Sequence, residues 1–297
     1  MDADAILDRR RLKRRLIFWR VAAALAVMAL IAVGIGNYHV RGKSHVARLS
    51  ITGVITEDIE RAEAIDHLVA QDKVRAVIVR INSPGGTTAG SEQVYHALRR
   101  VAAKKPIVAV IGTIGTSGGY IVAIAADHIV AMETSLTGSI GVLFQTAEFT
   151  GLLEKLGIKP FSLKSSPLKG QPSPVEPVTE EVRNALRMLL EDSYDWFAGL
   201  VQERRKFDAE ELKQVADGRV YSGRQAIKVR LIDALGGERV ARRWLEDRHG
   251  VSMDLPTIEV RWGERSSLLA RTLDTVGGKL FKNERLTLDG LLSVWQP

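Results

Sequence analysis

An α/β fold built on a largely parallel sheet is what this 297-residue sequence predicts, and three observations carry that expectation. Short apolar runs at 74–81 and 106–111 have the length and β-branched content of strands buried on both faces. Segments with a helical apolar period stand between them. Strand and helix patterns then take turns along the chain, which is how a parallel sheet covered on both faces is written.

In order, Val46-Ala47-Arg48-Leu49-Ser50-Ile51 alternates as a strand, and residues 57–71 read as a helix. A strand over 74–81, a helix over 88–103, a strand over 106–111, a helix over 118–126 and a strand over 128–132 follow. Residues 138–143 form a short strand or turn, 147–156 a helix and 159–163 a strand. Residues 164–178 carry four of the nine prolines and read as a loop. Thr179-Glu180-Glu181 opens a long helix running to about Lys206, with Leu186, Leu189, Leu190, Tyr194 and Phe197 on one stripe. Residues 217–226 make a turn into a capped helix. From Arg261 onward no partner pattern can be assigned, although the Leu and Trp content suits an oligomer or membrane contact.

The formal charge of +7 invites a nucleic-acid reading, but its location argues otherwise. Residues 1–43 hold nine cations against Asp2, Asp4 and Asp8, so only +1 remains for the other 254 residues. A basic groove on the folded part is not expected, and no nucleic-acid motif is present. Six cations in 1–15 precede an apolar run from Leu16 to Tyr38, 23 residues, long enough to cross a bilayer as a helix of roughly 30 Å. Arg20 lies near one end and can snorkel. Because only Arg41 and Lys43 follow, the charge asymmetry leaves the N-terminus cytoplasmic and the bulk exported. A cleaved signal peptide is the rival reading, with Ala32-Val33-Gly34 as a poor cleavage site. The expected organisation is a basic cytoplasmic segment (1–15), a transmembrane anchor (16–38), a linker (39–45), a folded domain (46–250) and a C-terminal extension (251–297). With no cysteine, thiol nucleophiles and thiolate zinc sites are excluded.

The segment Gly112-Thr113-Ile114-Gly115-Thr116-Ser117-Gly118-Gly119-Tyr120 sets the Ser117 hydroxyl among glycines where an apolar strand gives way to a helix. Glycines allow close backbone approach, and the first-turn N–H groups of a helix lack intrahelical acceptors, so such a turn can display a nucleophile beside an oxyanion site. Taken alone, Ser117 fits an ordinary helix cap equally well. A serine nucleophile needs a base, and none of the six histidines is well placed; His128, eleven residues on, begins a strand. No His-Glu-x-x-His or carboxylate cluster suggests a metal, and the glycine run has neither nucleotide-binding spacing, so no cofactor is expected. Lysine can serve a serine if burial lowers its pKa from about 10.4 toward neutrality, a shift of about 3 units or roughly 4 kcal/mol. Lys169, between Leu168 and Gly170 with no acid nearer than Glu176, is the best candidate.

Four co-linear motifs resemble the SppA-type signal peptide peptidases. They are Asn82-Ser83-Pro84-Gly85-Gly86, Thr116-Ser117-Gly118-Gly119-Tyr120, Leu136-Thr137-Gly138-Ser139-Ile140-Gly141-Val142, and Lys169 followed by Ser173-Pro174, within a similarity spanning about residues 46–245. The resemblance implies a Clp-protease/crotonase-like spiral of ββα units behind one transmembrane helix, making 46–250 a protease domain. It implies a Ser/Lys dyad in which Ser117 attacks the scissile carbonyl, Lys169 takes its proton, and Ser139 orients the lysine. The N–H groups of Gly86 and Gly118 would form the oxyanion hole. It further implies a homo-oligomeric ring in which serine and lysine come from neighbouring protomers, acting on apolar peptides such as signal-peptide remnants at the bacterial inner membrane. A second lysine, Lys164, lies five residues before Lys169 in the same loop. The competing readings are a non-catalytic membrane scaffold of the same fold and a crotonase-like acyl-CoA enzyme.

Overall fold

The computed structural model describes residues 18–21, 25, 28, 44–263 and 292–294. The elements, in chain order, begin with β1 (His45–Thr52), α1 (Ile59–Ala70), β2 (Val74–Ser83), β3 (Gly85–Thr87), α2 (Thr88–Ala102), β4 (Ile107–Thr116) and α3 (Gly118–Ile124). Next come β5 (His128–Ala131), β6 (Leu136–Gly138), α4 (Thr150–Lys155), α5 (Glu180–Arg205), α6 (Ala209–Val215), β7 (Val220–Ser222) and α7 (Gly223–Lys228). The last are β8 (Ala234–Leu235), α8 (Glu238–His249), β9 (Thr257–Glu259) and β10 (Leu292–Val294).

The main sheet runs β7-β6-β4-β2-β1-β9, with β5 beside β4 and β8 beside β5. Every pairing in it is parallel except β6 with β7. Successive side chains of a strand point to opposite faces, so the continuous apolar run of β2 is buried on both. Along β2, Val77, Val79 and Ile81 enter the larger core, while Ala76 and Ile78 enter a second one on the opposite face, with Val108, Val110, Ala241 and Leu245. Every residue of α3 is buried, and the Tyr120 hydroxyl anchors it by donating to Leu231 O at 2.7 Å.

β4 is longer than the apolar run 106–111 predicts. Its first half pairs with β5, and its glycine-containing second half, Ile114 to Thr116, pairs with β6. One edge of this strand thus serves two neighbours, and the second delivers Ser139 beside Ser117. Residues 159–163, expected as a strand, have none: no neighbouring edge pairs with them, and Phe161 and Leu163 are each 91% exposed. α5 starts at the expected cap, where Thr179 accepts from Val182 N. Val182 is buried in its first turn, and its C-terminal half packs through Phe197, Ala198 and Val201; Leu189, on the predicted stripe, is exposed.

Beyond residue 250, β9 pairs with β1 and β10 pairs with β3, so from Arg261 onward residues 292–294 have a backbone partner. The predicted anchor, 16–38, lies almost wholly outside the described residues. Among the described residues no helix is long and apolar enough to cross a membrane.

Candidate active site

Ser117 stands at the junction of β4 and α3 with φ 55° and ψ −120°. A non-glycine residue there is strained by about 1–3 kcal/mol, a conformation that persists only where its surroundings impose it. The imposing contacts are backbone ones. Ser117 N–H donates to Gly138 O at 2.8 Å, and Ser117 C=O accepts from Tyr120 and Ile121 N–H at 2.8 and 3.0 Å. Its side chain makes no cap bond to α3, which removes the reading of Ser117 as an ordinary cap. The residue is 1% exposed in the single chain.

The segment 82–87 is built around this hydroxyl. Ser83 Oγ accepts from Gly85 N–H at 3.1 Å, and Thr116 Oγ1 donates to Pro84 O at 3.1 Å, tying the turn to the residue before Ser117. On β3, Gly85 C=O accepts from Ile55 N–H and Thr87 N–H donates to Ile55 C=O, each at 2.8 Å. Successive peptide groups of a strand point opposite ways, so the Gly86 N–H faces away from Ile55. A Cβ on Gly86 would lie 1.8 Å from Ile55 O, so the bridge permits only glycine there. A Cβ on Gly118 would come within 2.3 Å of Ser91 Oγ and 3.1 Å of Gly86 N. The two predicted oxyanion donors are therefore brought together, and Gly118 N–H, at the first helical position, has no intrahelical acceptor. Such a pair can stabilise a developing oxyanion, with one donor typically worth about 3–4 kcal/mol.

Ser139 sits one residue beyond β6 with φ 52°, 9% exposed, its N–H donating to Arg219 O at 2.8 Å. The pairing of Thr116 with Gly138 sets Ser117 and Ser139, each one residue beyond a strand end, side by side. Both are held at positive φ. Lys169 is not part of this cluster in the single chain: it is exposed, and its backbone N–H bonds to Ser166 O within its own loop. Lys164 is tied to Glu176, and its ammonium holds the Glu176 carboxyl below the usual carboxylate range. His128 is spent on packing. It stacks on Trp244 at 4.7 Å, and burial pushes its imidazole below its usual value.

Sequence reasoning missed the supporting hydroxyls. Ser91, fully buried, donates to Thr87 O at 3.0 Å and backs Gly118; Thr137 Oγ1 donates to Gly115 O at 2.9 Å and braces β6 on β4. Ser91 lies in none of the quoted motifs and Thr137 stands in one without an assigned role, so only three-dimensional proximity reveals what they do.

Residues 99–252 match peptidase family S49. A protein bearing a protease name in Synechocystis is 36% identical over 222 residues, covering 73% of this chain and 80% of its own length. A similarly named protein of Methanocaldococcus jannaschii is 37% identical over 188 residues, covering 63% of this chain and 60% of its own. A protein named as a signal peptide peptidase SppA in Enterococcus faecium is 33% identical over 207 residues, covering 64% and 60%. With a strained, uncapped serine set beside paired glycine amides and a family match that runs through it, the chain belongs to peptidase family S49 and is an SppA-type peptidase.

Proposed function

We propose that the protein is a membrane-anchored serine endopeptidase that hydrolyses apolar peptides, such as signal-peptide remnants, with a dyad of Ser117 and Lys169. The observation that carries this reading is the conformation of Ser117: strained, uncapped, and next to the amides of Gly86 and Gly118. Ser117 Oγ attacks the scissile carbonyl carbon while Lys169 Nζ accepts its proton. The carbonyl oxygen, now negative, takes the Gly86 and Gly118 N–H groups. Collapse of this intermediate breaks the C–N bond, the lysine proton leaves on the amine, and an ester on Ser117 remains. Water, deprotonated by the same lysine, then hydrolyses the ester. Ser139 acts as a positioning residue for the lysine.

A dyad needs Lys169 desolvated, and in the single chain it is exposed. That accords with a ring of identical subunits, of the Clp-protease type of assembly, in which the loop 164–178 of one protomer closes over Ser117 of the next. Exposed Leu152, Leu156, Phe161, Leu163 and Met188 supply apolar surface for such contacts. A cleft of about 370 Å³ begins next to Ser139, its walls apolar at Ile140, Val142, Leu190 and Ala216 and carrying the carboxylates of Glu191 and Asp217. The anchor over 16–38 and the charge asymmetry around it put the catalytic domain on the exported side of the inner membrane.

The test is hydrolysis of an apolar reporter peptide by purified full-length protein. Ser117→Ala and Lys169→Ala are each expected to lower kcat by about 10³-fold or more with unchanged circular dichroism. Wild-type turnover in either variant rejects the dyad.

A further inference from the structure

A buried cation lies outside the cluster around Ser117 yet is aimed at what supports it. Arg61, in the first turn of α1, is 7% exposed, and its Nη2 donates to Thr56 O. Its Nε is buried with no hydrogen-bond partner among the described residues. Burial pushes the guanidinium below its usual value, and the Asp58 carboxylate only partly offsets this. A cation in the first turn also opposes the helix dipole. Arg242, similarly buried, differs in donating to Thr257 Oγ1 and to the carbonyls of Met253 and Leu255, which fasten a loop. Desolvation, an orphaned donor and the helix field all count against Arg61, so stability does not account for it. What it makes is a charge-assisted bond to one backbone carbonyl.

That carbonyl belongs to the connection 53–58 between β1 and α1. Gly53 N–H donates to Asn82 O at 3.1 Å and Asp58 N–H donates to Gln93 Oε1 at 3.0 Å, fixing its two ends. Between them Ile55 bridges Gly86, its N–H donating to Gly85 O at 2.8 Å. Gly85 C=O and Gly86 N–H belong to one trans peptide and point opposite ways. The bond from Ile55 therefore aims Gly86 N–H, one of the two amides assigned to the oxyanion. Thr56, the next residue, lies against α2, where a Cβ on Gly90 would stand 2.5 Å from Thr56 C. We propose that Arg61 is a positioning residue for the oxyanion hole, a role that rests on the peptidase reading of Ser117: by holding Thr56 C=O it keeps Ile55 in the register that turns Gly86 N–H toward the site.

The test compares full-length Arg61→Met and Arg61→Lys with the parent. Methionine supplies bulk without charge or donor, whereas lysine keeps a donor on a flexible stem. The oxyanion forms only in the transition state, so Arg61→Met is expected to lower kcat for the reporter peptide about tenfold with KM within about twofold, part of the roughly 10²–10³-fold that loss of a whole donor costs. Its urea midpoint should equal or exceed the parent's, because a buried charge with an unpaired donor is gone. Arg61→Lys should keep at least about half of the parental kcat. In a Ser117→Ala background, amide exchange at Ile55 and Thr87 should accelerate in Arg61→Met, while exchange at Val79 in the middle of β2 should not. If the parent hydrolyses nothing but exchange responds as stated, the positioning role stands and the peptidase reading falls. In a parent that turns over, an unchanged kcat in Arg61→Met overturns the proposal. Unmoved exchange at Ile55, or an Arg61→Met protein that is destabilised or fails to fold, overturns it as well.

Discussion

At Ser117 the fold spends stability on chemistry. Its φ of 55° is tolerated because Gly138 O, Tyr120 N–H and Ile121 N–H hold the peptide groups on either side. Ser117→Gly is therefore expected to raise the unfolding free energy by about 1 kcal/mol in urea titrations, strain relief outweighing the extra unfolded-state entropy of glycine, while peptide hydrolysis disappears. A mutant that loses activity and gains stability points to a displayed nucleophile, which a helix cap would not be. The two lysines of the proline-rich loop part at the same scale. Lys164 neutralises Glu176, and Ser162 and Gln171 also bond that carboxylate, so Lys164 organises the loop. Lys164→Met is expected to leave the pH profile of kcat unmoved and to reduce activity less than tenfold, against the loss of about 10³-fold or more in Lys169→Ala, by the same reporter assay.

Among the elements, the long β4 decides most. By pairing with β5 below and β6 above, it aligns Gly138 with Thr116 and brings Ser139 to Ser117. β5 is held at its start by His128, whose ring lies parallel to that of Trp244 on α8. Burial depresses the imidazole more than Asp233, 3.8 Å away and also bonded by Arg205 and Ile129 N–H, raises it. Arg205 and Arg248 depress it further. A group whose folded pKa lies below its unfolded value contributes stability at neutral pH that is lost as the pH falls through about 6.5, because the unfolded chain binds the proton first. His128→Phe keeps a ring against Trp244 and removes the titration. Its thermal midpoint should fall less than that of the parent between about pH 7 and pH 5, followed by circular dichroism. A parallel pair of pH profiles would dismiss His128 as the cause.

For the molecule as a whole, the proposal that matters is that a single chain is incomplete. Ser117 and its amides lie in one protomer, and a neighbour is proposed to bring Lys169. Two inactive variants, Ser117→Ala and Lys169→Ala, are expected to regain activity when co-assembled, because some interfaces then pair an intact serine with an intact lysine. With random mixing at equal amounts about one quarter of the wild-type rate should return, given shared interfaces of this kind. No recovery after subunit exchange, verified by mass spectrometry of the assembly, would require both groups of each site to come from one chain.

From the residues alone, the alternation of apolar runs and helical stripes was enough for the parallel α/β sheet. A serine hydroxyl directly before two glycines at a strand-to-helix junction was enough to nominate Ser117. Both are local signals, since burial on two faces needs continuous β-branched runs and a tight junction needs glycine. Local pattern failed where a partner decides the outcome. The apolar segment 159–163 has strand composition but no edge to join, and the stripe of α5 meets the main core only from Tyr194 onward. The tertiary structure alone determined that Gly86 must be glycine because Ile55 O lies where its Cβ would stand, that β6 carries Ser139 to Ser117, and that residues 292–294 lie along β3. Each is a contact between segments distant in sequence, and hydrogen-bond pairing across such distances leaves no periodic trace in either segment.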